Sequence, residues 1–153
     1  MVRKYPKAKW EEWEVEFFPA PFRPPTPASY VLVFLWKGDK TLLSYIPERG
    51  WCIPGGKVKT NEDSRDAAIR EAYEETGAKI ADIQFMGSYK LSKNGEVRWA
   101  DVYTSKITEL DEIPEGSEAT NRGFYSLEEI PHVYFAWNPL FEILFLESFE
   151  KLK

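Results

Sequence analysis

The chain has 153 residues, 43% of them hydrophobic and 16% aromatic, which is enough apolar material for one compact domain and excludes an intrinsically disordered protein. Its formal net charge of −5 argues against a sequence-independent nucleic-acid-binding protein, because such proteins need basic patches. The one cysteine cannot form an intramolecular disulfide, which fits the reducing cytosol. Residues 1–6 lack the apolar stretch of a secretory signal, and the apolar run at 30–36 is too short to cross a membrane. We therefore expect a cytoplasmic protein.

The first third of the chain is predicted to form strands separated by a proline-rich loop. Residues 10–18 alternate between apolar side chains and glutamates, as in a half-buried strand. Five prolines at 19–27 predict an extended loop without regular structure. The continuous apolar run at 30–36 predicts a buried strand, and residues 41–46 and 51–54 predict two further strands.

The rest of the chain is predicted to contain the helices and a hairpin. Asp63 is a good N-cap and Gly77 suits the left-handed position that ends a helix, so these residues bound a central helix. Residues 85–91 and 96–107 read as strands joined by an Asn-Gly turn. The remaining predicted elements are a short strand at 124–126, a capping box at 126–129 that opens a brief helix, and a last helix with Asn138 as N-cap that runs towards Leu152.

Strands flanked by one central and one terminal helix predict an α/β (α+β) fold in which a mixed β-sheet lies between helices, an α/β/α sandwich. The domain is expected to cover residues 1–153, with 1–27 as an N-terminal strand and proline-rich loop. No composition break divides the chain into two domains.

Three glutamates of the central helix indicate the chemistry. Glu71, Glu74 and Glu75 are spaced i, i+3 and i+4, so they share one helix face. Residues 62–75 carry a local net charge of −4 out of the overall −5, so the acidity is concentrated here. Crowded carboxylates repel one another unless a cation lies between them, and hard divalent ions take such oxygen ligands together with substrate phosphates. Taken alone, the acidic cluster is more often a solvated helix face.

The segment from Gly56 to Ala78 resembles the box of the Nudix hydrolase family, Gly-x5-Glu-x7-Arg-Glu-U-x-Glu-Glu-x-Gly-U, in which U is apolar. The U positions are Ala72 and Ala78, and Ala78 is smaller than the usual Ile, Leu or Val. The fixed positions of the box are all present: Gly56, Glu62, Arg70, Glu71, Glu74, Glu75 and Gly77.

The resemblance implies hydrolysis of a nucleoside diphosphate linked to another group, with Mg²⁺ or Mn²⁺ as cofactor. It assigns metal binding to Glu71, Glu74 and Glu75, with the Gly55 carbonyl as a further ligand and Glu71 as a candidate general base. A carboxylate beside metal ions is expected to stay ionised near neutral pH.

The resemblance also gives Arg70 a structural role, in which it pairs with Glu62 and holds the loop against the helix. The alternative is an ordinary surface pair between Arg70 and Glu74. Gly56, Glu62 and Gly77 are taken as structural residues of the box. Lys57 is a candidate phosphate contact, and an exposed lysine without function is an equal alternative.

Outside the box the candidates are fewer. Glu118, in the loop at 115–122, is chosen over Glu115 as a further catalytic residue. Asn138 lies where MutT-type members place an asparagine that contacts the base, although an Asn before Pro is also an ordinary N-cap. The single histidine excludes a multi-His metal site, and Cys52 is expected to be a packing residue. The aromatic residues considered for base stacking are Trp36, Trp51, Tyr89, Trp99, Phe135 and Trp137.

The substrate is expected to be a small-molecule nucleotide, with no membrane and no nucleic-acid partner, bound by a monomer or homodimer. Residues 48–58 and 124–131 are similar to MutT-type triphosphate pyrophosphohydrolases, which favours a nucleoside triphosphate such as 8-oxo-dGTP, cleaved to monophosphate and pyrophosphate. ADP-ribose, dinucleoside polyphosphates, nucleotide sugars and capped RNA ends are alternatives, because the same box serves them. A non-catalytic nucleotide-binding module is the alternative of a different class.

Overall fold

The computed structural model describes residues 5–153, and residues 1–4 of the predicted N-terminal segment lie outside it. The described part contains nine strands and three helices. In chain order they are β1 (Ala8–Trp10), β2 (Trp13–Pro19), β3 (Tyr30–Lys37), β4 (Lys40–Ile46), β5 (Gly50–Cys52), β6 (Gly55–Lys57), α1 (Ser64–Thr76), β7 (Ala78–Lys93), β8 (Glu96–Leu110), β9 (Asn121–Ser126), α2 (Ile130–Val133) and α3 (Pro139–Glu150).

The strands form one mixed sheet in the order β1-β2-β7-β8-β3-β4-β5, with β6 paired to β3 and β9 paired to β4. The β3–β8 pair is parallel and the other pairs are antiparallel. Helices cover both faces of the sheet, as the α/β/α prediction required.

The apolar run in β3 is continuous because both of its faces are buried. Val31 and Val33 belong to the cluster that contains the fully buried alanines of α1. Phe34, on the opposite face, packs edge-on against Phe145 of α3 with ring centroids 4.8 Å apart. Burial of one such large side chain stabilises the fold by about 1.5–3 kcal/mol. The run therefore places β3 in the middle of the sandwich.

The ends of α1 are the predicted ones. The Asp63 carboxylate accepts a hydrogen bond of 2.8 Å from the Asp66 backbone N–H, and Gly77 closes the helix with a φ of 78°. The alanines of the buried face, Ala67, Ala68 and Ala72, leave no exposed surface and let the helix lie close to β3. The packing of these alanines also fixes the direction of the glutamate side chains of α1.

Several boundaries differ from the prediction. The predicted strand 10–18 is interrupted by a tight turn with Glu11 at a φ of 55°, which separates β1 from β2. Strands β7 and β8 extend beyond 85–91 and 96–107, because bulges near residues 80, 82 and 86 allow one long hairpin to bend without ending. The Gly-Gly strand β6 was not predicted, since glycines weaken the strand signal.

The C-terminal boundaries also differ slightly. Strand β9 begins at Asn121 rather than 124. Ser126 and Glu129 form the reciprocal capping-box hydrogen bonds, but these close a turn, and α2 begins only at Ile130. Helix α3 starts after the predicted N-cap Asn138 and ends at Glu150. Within residues 5–153 no helix is long and apolar enough to cross a membrane.

Candidate active site

Strand β6 and helix α1 meet at the glycine pair. A Cβ atom on Gly56 would collide with the carboxylate of Glu71, so only glycine allows this approach. The Gly55 backbone N–H donates a hydrogen bond of 2.8 Å to Oε1 of Glu75. Pairing of β6 with β3 holds both glycines in register with Val31 and Leu32. The glycine turn is thus fixed against two of the three predicted glutamates.

Arg70 organises the loop between β6 and α1. Its Nε and Nη2 donate to the two Glu62 carboxylate oxygens at 2.9 and 3.0 Å, and Nη2 also donates to the Lys57 carbonyl at 3.0 Å. Its Nη1 donates to Glu71 at 2.9 Å and to Glu74 at 3.2 Å. Both pairings weighed from the sequence, with Glu62 and with Glu74, are therefore present, and the guanidinium joins the loop to the glutamate face.

Glu75 is the most buried carboxylate of the site, with only 4% of its surface exposed. Burial raises its pKa to about 7, and the nearby negative charges of Glu71 and Glu118 add to this, while the Gly55 N–H opposes it. Burial likewise raises the pKa of Glu71, which Arg70 partly offsets. Both carboxylates therefore lie where a cation would relieve an unfavourable charge.

Glu118 is exposed but lies near this site, since its charge raises the pKa of both Glu71 and Glu75. The Thr120 N–H donates to the Tyr45 carbonyl at 2.9 Å and so anchors the loop beside β4. Glu74, in contrast, has 48% of its side chain exposed and turns towards Arg70. The structure brings Glu71, Glu75 and Glu118 into one electrostatic neighbourhood, and the more exposed Glu74 also raises the pKa of Glu71.

The donor set suits a hard divalent cation, because it consists of carboxylate oxygens that raise one another's pKa beside a close glycine backbone. Among the described residues, no three His, Cys, Asp or Glu side chains converge closely enough to hold a metal ion as they stand. Two of the predicted ligands, Glu71 and Glu74, are drawn to the Arg70 guanidinium instead.

A cavity of about 110 Å³ lies between the sheet and α3. Its walls are mostly apolar and aromatic, from β1, β2, β3, β7 and the segment at 134–141. The lining includes the side chains of Tyr30, Arg49, Tyr89, Tyr134, Asn138 and Phe141.

Tyr30 and Arg49 connect the cavity to the glutamates. Both line the cavity. Burial raises the pKa of the Tyr30 hydroxyl, Arg49 opposes this, and Glu75, Glu71 and Glu118 add to it, so the hydroxyl lies within electrostatic range of the carboxylates. The Arg49 charge lowers the pKa of both Glu75 and Tyr134, so this cation in the cavity wall lies within electrostatic range of the acidic site.

The remaining residues singled out in the sequence differ in whether they lie at the site or in the core. Lys57 is exposed, and only its backbone carbonyl takes part in the Arg70 network. Asn138 caps α3 by accepting a hydrogen bond of 3.0 Å from the Phe141 N–H, and it also lines the cavity. Cys52 is 98% buried and packs in the core cluster, as expected, and burial raises the pKa of its thiol. His132 lies exposed in α2.

Of the aromatic side chains considered for base stacking, Tyr89 and Phe135 line the cavity. Trp36 was a wrong choice, because it is 1% exposed and its indole N–H donates to the Ser148 hydroxyl at 2.9 Å. The other three contact different rings: Trp51 packs on Tyr45 and Tyr125, Trp99 on Phe18 and Phe22, and Trp137 on Phe145. Tyr30, Arg49 and Tyr134 were missed, since no local motif distinguishes them from other aromatic or basic residues.

Comparison with known proteins gives a consistent result. The model of the NUDIX domain family matches residues 25–144. YtkD of Bacillus subtilis, a provisionally assigned 8-oxo-dGTP diphosphatase, is 36% identical over 102 residues, which cover 67% of this chain and 63% of that protein. Human diphosphoinositol polyphosphate phosphohydrolase 3-alpha is 32% identical over 120 residues, covering 75% of this chain and 70% of that one. The match thus spans slightly under two thirds of the length of YtkD.

A solved structure is similar over nearly the whole chain. The crystal structure of the Bacillus subtilis pyrophosphohydrolase BsRppH superposes with a TM-score of 0.77 at 25% identity, covering 95% of this chain and 96% of that one. The whole α/β/α arrangement, including the cavity wall formed by α3, therefore lies within the shared fold.

Proposed function

The chain belongs to the NUDIX domain family, and from that premise we propose that it is a metal-dependent pyrophosphohydrolase of a nucleoside triphosphate. One observation carries the proposal: the acidic site and the aromatic cavity share Tyr30 and Arg49. A molecule with a flat apolar ring at one end and phosphates at the other fits this arrangement. We further propose that the protein acts as a single domain in the cytoplasm.

Each end of the substrate has its own group of residues. The aromatic cavity takes the base, and Asn138 at its wall offers an amide for hydrogen bonding. Arg49, which lines the cavity and lowers the pKa of Glu75, is proposed to bind a phosphate, with Lys57, directly after the glycine pair, as a second cation. An ionised donor strengthens a hydrogen bond to phosphate oxygen.

Glu71, Glu74 and Glu75, with the Gly55 carbonyl, are proposed to hold Mg²⁺ or Mn²⁺. When bound, the metal would neutralise phosphate charge and lower the pKa of a coordinated water. Hydrolysis adds the water oxygen to phosphorus and releases pyrophosphate, and the water proton passes to a carboxylate. Glu71 and Glu118 are the candidates for this general base. Arg70 is a positioning residue that keeps the loop and the glutamates in place.

The side chains that line the cavity favour a nucleotide as substrate, with either an oxidised or an unmodified base. Its walls carry aromatic rings and two cationic side chains, Lys9 and Arg49, which suits a heterocycle with a phosphate nearby better than the many charges of an inositol polyphosphate. The provisional assignment of YtkD makes 8-oxo-dGTP the first substrate to test. ADP-ribose and dinucleoside polyphosphates are second candidates, because they also combine a base with a diphosphate.

A substrate panel with product identification tests the proposal. Nucleoside triphosphates, 8-oxo-dGTP, ADP-ribose and a dinucleoside polyphosphate are incubated with Mg²⁺ or Mn²⁺. Release of monophosphate and pyrophosphate from a triphosphate supports the proposal, and preference for ADP-ribose contradicts it. Inertness towards the whole panel would indicate a non-catalytic nucleotide-binding module.

Glutamate variants connect activity to the proposed metal site. Glu74→Gln and Glu75→Gln are expected to remain folded and to lose turnover, whereas Glu14→Gln, at an exposed position of β2 that does not line the cavity, serves as the control. A metal present at 100 times its Kd adds about 2.7 kcal/mol to the free energy of unfolding, so Mg²⁺ should raise the Tm of the wild type and not that of Glu75→Gln. Unchanged turnover in both variants would refute the metal site.

A further inference from the structure

The hydroxyl of Tyr89 is buried without a partner. Tyr89 lies on β7 with 4% of its surface exposed, and it lines the aromatic cavity. Within residues 5–153 its hydroxyl oxygen is the one buried side-chain nitrogen or oxygen that makes no hydrogen bond. Burial raises the pKa of this hydroxyl well above its ordinary value, so it stays a neutral donor and acceptor.

Other buried polar side chains near Tyr89 do have partners. The Tyr134 hydroxyl, in the same cavity wall, accepts a hydrogen bond of 3.3 Å from the Ile53 N–H. The Ser88 hydroxyl, one residue away on β7, donates to Asp101 at 2.7 Å. A buried hydroxyl without a partner destabilises a fold, and phenylalanine would fill the same space without this cost. The unpaired atom therefore requires an explanation outside the fold itself.

The ring of Tyr89 is held by its neighbours. It packs edge-on against Phe17, with ring centroids 5.8 Å apart, and against Phe141, with centroids 6.4 Å apart. Because β7 is paired on both sides, with β2 and with β8, its backbone is also held in place. The hydroxyl is thus a preorganised hydrogen-bonding group on a side chain that lines a mostly apolar cavity.

We propose that Tyr89 is a specificity-determining residue, whose hydroxyl forms a hydrogen bond with a polar edge atom of a nucleobase bound in the cavity. The inference rests on the proposed function for the identity of the ligand. The cavity, at about 110 Å³, is well below the ~300–1,000 Å³ of pockets that enclose whole drug-sized ligands, so it accommodates a ring system and leaves the phosphates outside. A site built to hydrogen-bond one polar atom discriminates strongly against a ligand that lacks it.

Equilibrium binding without metal tests this inference separately from hydrolysis. Nucleoside 5′-monophosphates with the common bases are titrated into the wild type, Tyr89→Phe and Tyr103→Phe. Tyr103 is a matched control, because it is equally buried but lies in the cluster on the opposite face of the sheet and has a partner in the Ser64 hydroxyl. Analogues that lack one polar atom, such as 2-aminopurine and hypoxanthine in place of guanine, identify the atom that is contacted.

The expected result is a preference of the wild type for one base and a loss of affinity in Tyr89→Phe on the order of 10-fold for that base. The loss should vanish for the analogue without the contacted atom, and Tyr103→Phe should keep the wild-type preference. The Tm of unliganded Tyr89→Phe should equal or exceed that of the wild type, since an unpaired hydroxyl is removed.

Several results would overturn the inference. The first is that no monophosphate binds measurably to the wild type, and the second is that Tyr89→Phe and the wild type bind with equal affinity. The third is an equal loss of affinity for every base, which would indicate that the hydroxyl contacts an ordered water only. A Tm of Tyr89→Phe several degrees below that of the wild type would show that the hydroxyl serves the fold. Base-selective binding by a protein that hydrolyses nothing would contradict the proposed function and leave the role of Tyr89 intact.

Discussion

Arg70 binds Glu62 through two hydrogen bonds, of 2.9 Å from Nε to Oε2 and of 3.0 Å from Nη2 to Oε1, and thereby ties the loop after the glycine turn to helix α1. The same guanidinium reaches Glu71 through Nη1. The position of Glu71, a proposed metal ligand, therefore depends on an arginine that is itself held by Glu62, nine residues before Glu71.

Arg70→Lys should reduce turnover more than it reduces stability. A lysine keeps the charge but cannot form the forked pair with Glu62 while also reaching Glu71. Since small displacements of catalytic groups can cost up to about 100-fold, we expect a 10- to 100-fold lower kcat in a variant that remains folded. Steady-state kinetics and circular dichroism measure the two effects. Arg65→Lys, at an exposed position of the same helix, is the control and should behave like the wild type.

Glu62 should make the protein more sensitive to acid. The hydrogen bonds from Arg70 lower its pKa from 4.5 to about 2 in the folded state. Its contribution to stability is therefore complete above about pH 4.5 and is lost as the pH falls towards 2. Glu62→Gln should be less stable than the wild type at pH 7, and the gap should narrow on acidification through this window. Urea unfolding at a series of pH values measures the gap, and a constant gap would contradict the assignment.

Arg49→Ala should weaken substrate binding without unfolding the protein. The side chain is exposed, so little packing is lost, but the proposed phosphate contact is removed. A hydrogen bond to a charged group contributes about 1.5–3 kcal/mol, which corresponds to a rise in KM of at least about 10-fold for a triphosphate. The control is Arg98→Ala, an exposed arginine near the β7–β8 turn. Equal KM values for the two variants would exclude Arg49 from phosphate binding.

Asn138 can be tested for its two roles with two variants. Asn138→Ala removes the cap of α3 and should lower the free energy of unfolding by about 1 kcal/mol. Asn138→Asp keeps an oxygen for the Phe141 N–H and should retain stability, but it replaces the amide donor in the cavity wall with a carboxylate. A changed order of preference among bases in the Asp variant would support base contact. Wild-type kinetics in the Asp variant would show that Asn138 acts only as the cap of α3.

Local sequence was sufficient for the parts of the protein whose contacts are close in the chain. Asp63 and Gly77 bound α1 because a cap depends on one side chain or one backbone conformation. The glutamate face follows from helical periodicity, and the Asn-Gly turn between β7 and β8 follows from the need for positive φ, seen at 48° and 81°. The Arg70–Glu62 pair was accessible only through the family resemblance, since eight residues and a loop separate the partners.

Only the tertiary structure decided how the α1 glutamates and the aromatic cavity lie relative to each other. Tyr30 begins β3 and Arg49 lies in the turn before β5. The pairing of β6 with β3 brings Tyr30 within electrostatic range of the α1 glutamates. Trp36 and Tyr89 were equivalent candidates in the sequence, yet one hydrogen-bonds to Ser148 in the core and the other lines the cavity.

The physical reason is that the direction and partners of a strand side chain depend on strand pairing and on the elements packed above it. Both are contacts between residues far apart in the chain, and they leave no local signal in the residue itself. The sequence by itself therefore determined the spacing of the glutamates on one helix and the capped ends of that helix. The packing of α3 on the sheet decided where the cavity lies and left the buried Tyr89 hydroxyl without a partner among residues 5–153.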